Sequence, residues 1–193
     1  MIHKRMEKLA QKIEEQLLAI DQKSIDNLVE SIMNTKRIFI VGAGRSGLVA
    51  KAFGMRLMHL GFTVYIVGEV ITPAINKDDL LIVVSGSGQT LSAVVAATIA
   101  KEKGVKIVGI TSNPDSDIGK LSNFTVQIKG RRPEDEKRDY EARQLTGNHE
   151  PLTPLGTLFE LTAMVFLDSI IDELMLRYQK SEDELRKLHA DLE

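Results

Sequence analysis

The stretch RIFIVGAGRSG, residues 37–47, joins a run of apolar residues to a turn that contains three glycines. The apolar part is short, rich in β-branched and aromatic side chains, and ends at Gly42, which is typical of a buried strand. The turn has Gly-x-Gly-x-x-Gly spacing, which occurs where a strand leads into a helix whose first amides face a phosphate. This spacing alone does not distinguish a dinucleotide from another phosphate ester.

The alternation of strand and helix continues along the chain. The pattern predicts strands at 37–42, 62–68, 80–88, 105–113 and 124–130, with helices at 46–61, 90–104 and 116–122 between them. Ser46 is a candidate N-cap for the first of these helices. Repeated strand–helix–strand units predict a parallel sheet with helices on both faces, and hence a three-layer α/β sandwich with five strands.

Further helices flank this predicted core. Residues 4–34 carry apolar positions at helical spacing, one stripe being Met6, Leu9, Ile13, Leu17 and Ile20. A long and very apolar helix is predicted at 153–179, and the charged segment 131–149 precedes it without a motif that assigns it a role. We expect one domain over 1–193, with lead-in helices at 1–34, a core at 35–179 and a terminal helix at 180–193.

Composition excludes several classes of protein. The chain has 193 residues, a net charge of −2 and no cysteine, so a broad nucleic-acid face, disulfides and thiolate metal sites are not expected. No apolar run approaches the roughly 18 residues of a membrane span. The charged first residues, MIHKRMEKLAQKIEEQ, do not resemble a signal peptide, which makes the cytoplasm the expected compartment.

A second polar turn, SGSGQT at 85–90, follows the third predicted strand and leads directly into a helix. It offers the hydroxyls of Ser85, Ser87 and Thr90, and its glycines allow close approach of a ligand to the backbone. Amide N–H groups and the helix dipole favour an anion here, so the turn suits a phosphate monoester. The alternative is a polar turn in which Thr90 simply caps the helix.

The glycine turn leaves a nicotinamide enzyme as an alternative. A dinucleotide site requires an acidic residue about 20 positions beyond the turn, and Glu69 lies near that position. Such an enzyme also requires a substrate-binding region, for which a chain of this length leaves little room. A second hydroxyl-rich turn has no role in a dinucleotide site, so a sugar phosphate is the preferred ligand.

The stretches VGAGRSG, SGSGQT and PLGTLFE, in this order and on these elements, resemble the SIS (sugar isomerase) domain family over residues 35–179. Within that family the sequence is most similar to the 6-phospho-3-hexuloisomerases, through GAGRSGLVAKAFGMRLMHLGF, VGEVITPAI, LLIVVSGSGQT and TPLGTLFE. The resemblance implies a flavodoxin-like parallel sheet, a sugar phosphate ligand and no nucleotide or metal cofactor. It implies interconversion of a 6-phospho-3-ketohexose and fructose 6-phosphate.

Two residues are candidates for proton transfer. Glu160 is a carboxylate near the start of the apolar helix, where an unused charge would be unfavourable, although it could also complement the helix dipole. Family members place a proton-carrying glutamate at this helix start. His59, near the end of the helix 46–61, resembles an acid or donor that relatives often contribute from a neighbouring subunit. Its alternative is a histidine that stabilises a helix C-terminus.

The remaining candidates are expected to bind the substrate or its phosphate. From the first turn they are Gly44, Arg45 and Ser46, and Glu69 follows the second strand. From the second turn they are Ser85, Gly86, Ser87, Gly88, Gln89 and Thr90. Arg45 is as compatible with a solvated loop position as with a phosphate contact. The four histidines lack metal-ligand spacing, so no metal site is predicted.

Apolar surface on the lead-in helices and on the long apolar helix exceeds what one sheet face needs. We therefore expect a homo-oligomer, a dimer or a tetramer, with its sites near the subunit interfaces. Two rival functions remain open within the same family. One is a phosphosugar-sensing protein without catalysis, and the other is an isomerase of the arabinose 5-phosphate type.

Overall fold

The computed structural model describes residues 1–130 and 157–189. The strands are β1 Ile38–Gly42, β2 Val64–Ile66, β3 Leu80–Val84, β4 Lys106–Thr111 and β5 Phe124–Gln127. The helices are α1 Ile2–Leu17, α2 Gln22–Met33, α3 Gly44–His59, α4 Leu91–Glu102, α5 Asp117–Leu121, α6 Thr157–Tyr178 and α7 Glu182–Arg186. In these residues no helix has both the length and the hydropathy of a membrane span.

The five strands form one parallel sheet in the order β2-β1-β3-β4-β5. From β1 the chain first adds β2 on one side and then crosses to add β3 on the other side. This order is the flavodoxin-like one, so the predicted fold class is confirmed. The reversal lies between β1 and β3, and open α/β sheets bind ligands at the carboxyl ends of strands beside such a reversal.

The strands are apolar on both faces because helices cover both. Alternate residues of β1 enter different cores: Ile38 and Ile40 pack with α2, α3 and α6, whereas Phe39 and Val41 pack with α4 and α5. All five residues of β3 are buried, as expected for a central parallel strand. The result is the predicted three-layer arrangement.

Helix α1 packs against α6 and stays partly exposed along its length. Leu17 and Ile20 of the predicted stripe pack against the core, but no residue of α1 itself is buried, and Met6 is exposed. The α2 helix is well defined at its start, where the Asp21 carboxylate accepts a hydrogen bond from the Ser24 N–H at 2.8 Å. Asp21 is therefore the N-cap of α2.

Several predicted boundaries were wrong. Helix α3 begins at Gly44, because the Gly47 N–H already bonds the Ala43 carbonyl at 3.1 Å, so Ser46 lies inside the first turn and is not its N-cap. The strands are shorter than their apolar runs, since residues beyond their ends turn into loops. Helix α6 buries eight of its residues within the chain, so it holds less surplus apolar surface than expected.

Part of the predicted organisation lies outside the described residues. This applies to the charged segment 131–149, to residues 153–156 at the predicted start of the long apolar helix, and to residues 190–193 of the terminal helix. The described part of the terminal helix, α7, begins with a capping box between Ser181 and Glu184.

An ion pair between Arg37 and Asp79 joins the residues that precede β1 and β3, at the amino ends of these strands. The Asp79 carboxylate is almost fully buried and accepts hydrogen bonds from Arg37 Nε at 2.8 Å, Arg37 Nη2 at 2.6 Å and the Asn76 N–H at 2.7 Å. Burial raises the pKa of Asp79, but these hydrogen bonds and the Arg37 and Lys36 charges outweigh it, so the pKa lies below its ordinary value.

We predict that Asp79→Asn lowers the free energy of unfolding by about 2 kcal/mol at neutral pH, because Arg37 loses a charged partner. Because the folded-state pKa is lowered, the carboxylate's contribution is fully present above the unfolded pKa of about 3.9 and is lost as pH falls through the folded pKa. Urea unfolding between pH 3 and pH 7 tests both expectations. The control is Asp78→Asn, since the Asp78–Lys36 pair is exposed and 3.8 Å apart; an equal loss in both variants would contradict the prediction.

Candidate active site

The two glycine turns lie side by side at the reversal of the strand order. Gly42 at the end of β1 pairs in register with Val84 at the end of β3, so the turns that follow both strands leave the same edge of the sheet. The glycine turn, residues 42–47, opens α3, and the hydroxyl turn, residues 85–90, opens α4. The two turns that the sequence indicated are therefore neighbours in the fold.

Glycines in the glycine turn are required by the turn itself. A Cβ atom on Gly42 would lie 2.9 Å from the Ser46 carbonyl oxygen, and one on Gly47 would lie 2.9 Å from the Gly42 carbonyl oxygen. Gly44 has a φ of +56° and open space around its Cα. The spacing that resembles a dinucleotide fingerprint is thus explained by the tight strand-to-helix connection, whatever the ligand.

The hydroxyl turn has a buried, hydrogen-bonded residue, Ser85, and exposed residues that can bind a ligand. Ser85 is buried, and its carbonyl and hydroxyl oxygens accept from the Gly88 N–H at 3.1 and 3.2 Å. Ser87 and Gln89 are exposed. Thr90 occupies the N-cap position of α4 without a side-chain capping bond, and its hydroxyl lies 3.2 Å from that of Ser85. The simple capping role considered for Thr90 is not the one observed.

Residues that follow β4 donate hydrogen bonds to the backbone of the hydroxyl turn, and no pattern in the sequence indicated this role. The Gly86 carbonyl accepts hydrogen bonds from the Ser112 hydroxyl at 2.5 Å and the Ser112 N–H at 3.1 Å. The Gly88 carbonyl accepts from the Ile118 N–H at 3.0 Å. Because Ser112 and the first turn of α5 bind two carbonyls of the hydroxyl turn, the backbone of that turn is held in place.

Gly88 packs against the same support. It has a φ of +65°, and a Cβ atom there would lie 1.9 Å from Ser116 Oγ and 2.6 Å from Ser116 Cβ. Both the conformation and the lack of space require glycine at this position. Ser116 is also the N-cap of α5, so the hydroxyl turn packs directly against the start of that helix.

Arg45 and Glu160 meet at the mouth of the glycine turn although 115 residues separate them in sequence. The Arg45 Nε donates to Glu160 Oε2 in a short ion pair. The Glu160 side chain is only 12% exposed, whereas that of Arg45 is 61% exposed. The sequence did not indicate this pairing of Arg45 with the candidate proton carrier, and the phosphate contact expected for Arg45 stays a prediction.

Phe159, next to Glu160, connects α6 to the hydroxyl turn. A Cβ atom on Gly86 would lie 3.0 Å from Phe159 Cδ1, and one on Gly130 would lie 3.2 Å from Phe159 Cβ. The ring is buried against the turn. This contact sets how far the first turn of α6, and with it Glu160, lies from the hydroxyl turn.

Two other predicted residues lie apart from this pair. Glu69, after β2, accepts from Lys51 Nζ at 2.6 Å, and both side chains are about half exposed. His59 is the last residue of α3, roughly 20 Å along the helix from Arg45 at 1.5 Å per residue. It is buried, stacks on His189 at 5.2 Å between ring centroids, and borders a cleft of about 380 Å³ with α6 and α7.

The described residues contain no group of three or more His, Cys, Asp or Glu side chains arranged to hold a metal ion. The chemical groups that converge at the reversal of strand order are therefore a carboxylate, a guanidinium, hydroxyls and backbone amides. Such groups bind an anionic, hydroxylated molecule and can move a proton.

The SIS domain model matches residues 31–139. A protein of Aeropyrum pernix is 46% identical over 196 residues, covering 100% of this chain and 92% of that protein. The 3-hexulose-6-phosphate isomerase of Bacillus subtilis is 39% identical, covering 90% of this chain and 89% of the relative. A crystal structure of a Methanococcus jannaschii protein, inferred to be a 3-hexulose-6-phosphate isomerase, superposes with a TM-score of 0.83 at 34% identity, covering 98% and 99% of the two chains.

The family model spans the glycine turn and the hydroxyl turn, and the relative from Aeropyrum pernix covers the whole chain, including α6. The predicted resemblance to the sugar isomerases is thereby confirmed, and the chain belongs to the SIS domain family.

Proposed function

We propose that the chain is an isomerase that interconverts D-arabino-hex-3-ulose 6-phosphate and D-fructose 6-phosphate. The observation that carries this proposal is a shielded carboxylate, Glu160, held beside a hydroxyl-rich turn that suits a phosphate monoester. Relatives named 3-hexulose-6-phosphate isomerase at 39% identity support the choice of substrate.

The reaction moves a carbonyl between two neighbouring carbons. A base removes the proton on C2 of the 3-ketose, and the electron pair forms a 2,3-enediolate. Return of the proton to C3, with transfer of a hydroxyl proton between O2 and O3, gives the 2-ketose. One carboxylate can remove and return the carbon-bound proton, and hydrogen-bond donors stabilise the enediolate. The reaction needs no redox or metal cofactor.

The hydroxyl turn supplies the binding site for the phosphate in this proposal. The N-terminus of α4 opens directly from it, and the dipole of a helix favours negative charge at that end. Ser87 and Gln89 are exposed there, and the hydroxyls of Ser85 and Thr90 lie beside them. The glycine turn, through Gly44 and Ser46, contributes to the opposite side of the same ligand.

Arg45 acts on Glu160 rather than on the phosphate in this proposal. A guanidinium that is hydrogen-bonded to a carboxylate fixes the orientation of that carboxylate. The low exposure of Glu160 keeps water from competing for the substrate's proton. The pair therefore gives the carboxylate a fixed position from which it reaches the carbon chain of the substrate.

We propose further that the enzyme is cytoplasmic and self-associates, with its sites near the interfaces. The donor role predicted for His59 requires a neighbouring subunit, because α3 separates His59 from Glu160 within one chain. Phosphosugar sensing without catalysis and an isomerase of the arabinose 5-phosphate type are the two rival functions, and both predict that the wild type does not convert 3-hexulose 6-phosphate to fructose 6-phosphate. A titration with NADH tests the nicotinamide alternative. We expect no saturable change in fluorescence, and a saturable change would support a nicotinamide enzyme.

Glu160→Gln is expected to reduce turnover of 3-hexulose 6-phosphate by at least about 100-fold, because the amide cannot carry the proton. Formation of fructose 6-phosphate, coupled to a dye, measures turnover, and calorimetry with fructose 6-phosphate measures binding, which we expect to persist. The control is Glu173→Gln, on the same helix, where the carboxylate is exposed and pairs with Arg177. Turnover of the Glu160 variant equal to that of the control would refute the assigned role.

Gly88→Ala is expected to weaken binding of fructose 6-phosphate at least about tenfold and to lower stability by about 3 kcal/mol, since both backbone strain and overlap with Ser116 oppose the methyl group. Gly104→Ala provides the control. Gly104 also has a positive φ, +71°, but has open space around it at the far end of α4. For Gly104→Ala we expect backbone strain to lower the free energy of unfolding by about 1 kcal/mol and the binding of fructose 6-phosphate to stay unchanged. Equal binding losses would contradict a phosphate site at the hydroxyl turn.

Arg45→Met tests whether Arg45 positions Glu160, as proposed, or binds the phosphate. Loss of one hydrogen bond to a charged group, about 1.5 kcal/mol or more, should lower kcat about tenfold with little change in the binding of fructose 6-phosphate. A phosphate-binding arginine would instead weaken that binding and leave kcat nearly unchanged. Steady-state kinetics with calorimetry on Arg45→Met and Arg45→Lys decides between them, the lysine variant being expected to keep part of the turnover.

A further inference from the structure

The carbonyl of Gly86, in the hydroxyl turn, accepts three hydrogen bonds. The Ser112 hydroxyl donates at 2.5 Å, the Ser112 N–H at 3.1 Å and the Thr111 hydroxyl at 3.3 Å. Both donor residues are buried, Thr111 as the last residue of β4 and Ser112 directly after it. A backbone carbonyl has two lone pairs, so three donors occupy it fully and fix its direction.

The direction of this carbonyl determines the direction of the next N–H group. The peptide bond between Gly86 and Ser87 is trans, and the C=O and N–H of a trans peptide point in opposite directions. Strand β3 lies between β1 and β4 in the sheet, so a Gly86 carbonyl that points to β4 directs the Ser87 N–H to the side of β1. The Ser87 N–H therefore faces the crevice between the hydroxyl turn and the glycine turn.

This N–H group is available to a ligand. Within the described part of the chain it donates to no acceptor, and Ser87 is exposed. The Ser87 hydroxyl oxygen accepts a hydrogen bond from the Gln89 N–H at 3.2 Å, which leaves the hydroxyl proton available as a second donor. Ser87 thus offers an anion one donor from its main chain and one from its side chain.

Ser112 is itself held in place from the side of β5. Its carbonyl accepts a hydrogen bond at 3.3 Å from Nε2 of Gln127, the last residue of β5. Gly130 packs against it, since a Cβ atom on Gly130 would lie 3.2 Å from Ser112 Cβ. The Ser112 hydroxyl therefore has little freedom to leave the Gly86 carbonyl, and the Ser87 N–H keeps its direction before any ligand binds.

We propose that Ser112 is a positioning residue for the phosphate of the substrate: its hydroxyl holds the Gly86 carbonyl towards β4 and thereby directs the Ser87 N–H to a phosphoryl oxygen. This inference rests on the phosphate site proposed above for the hydroxyl turn, and it adds a residue outside that turn. A hydrogen bond from an amide to a charged oxygen is stronger than one between neutral groups. A peptide free to rotate would have to be ordered on binding, which would weaken affinity.

The Ser87 amide reports on this arrangement by NMR. In the full chain labelled with ¹⁵N-serine, the Ser87 signal is the one that Ser87→Ala removes. We expect saturating fructose 6-phosphate to move the Ser87 amide proton downfield, because the N–H then donates to a charged oxygen, and we expect a smaller shift in Ser112→Ala. An unmoved Ser87 amide proton in a wild type that binds fructose 6-phosphate would overturn the proposal.

Calorimetry with fructose 6-phosphate gives an independent result. Ser112→Ala should bind about tenfold more weakly than the wild type, because one hydrogen bond that orders the site is lost. The matched control is Ser31→Ala. Ser31 is 4% exposed against 5% for Ser112, and its hydroxyl also donates at 2.5 Å to a backbone carbonyl, that of Asn27 in α2. Ser31→Ala should bind as tightly as the wild type, and equal affinities of the two variants would refute the role of Ser112.

The remaining outcomes separate this inference from the proposed reaction. If circular dichroism shows that Ser112→Ala does not fold, the Ser87 signal of the wild type decides alone. Neither measurement requires turnover, so a protein whose Ser87 amide responds to fructose 6-phosphate without converting 3-hexulose 6-phosphate would refute only the reaction. A wild type that does not bind fructose 6-phosphate would overturn both.

Discussion

The contact between the Phe159 ring and the backbone of Gly86 determines the geometry of the candidate site. Gly86 belongs to the hydroxyl turn after β3, and Phe159 belongs to the first turn of α6, which carries Glu160. A residue larger than glycine at position 86 would push the ring away and move Glu160 with it. Because Ser112 also holds the Gly86 carbonyl, the turn has little freedom to adjust. The candidate phosphate site and the Glu160 carboxylate are thus positioned by one packed contact.

Close packing also explains why a fingerprint that resembles a dinucleotide site occurs in a protein with a different expected ligand. In the glycine turn, Gly42 and Gly47 allow the backbone of β1 and α3 to approach within contact distance. That requirement arises from the strand-to-helix connection alone. In the proposed function, the distinction from a dinucleotide site lies in the serines and the threonine that follow β3 and in the carboxylate that α6 contributes. In open α/β sheets, chemistry is set by the side chains at the carboxyl ends of the strands more than by the fold.

Much of the fold could be predicted from sequence because short apolar runs ending at glycine or serine alternate with helical patterns. The parallel sheet and its strands follow from that alternation, but the ends of the strands do not, since Val84 and Ser85 differ in structure although both are buried. The Arg45–Glu160 pair joins residues 115 positions apart and has no local signal.

The most direct test is a crystal structure of the protein with fructose 6-phosphate bound. A phosphoryl group held by residues 85–90, with C2 and C3 of the sugar within proton-transfer reach of the Glu160 carboxylate, is the expected result. A phosphoryl group bound at another place on the chain, or a carbon skeleton directed away from Glu160, would contradict the proposed arrangement of phosphate site and base.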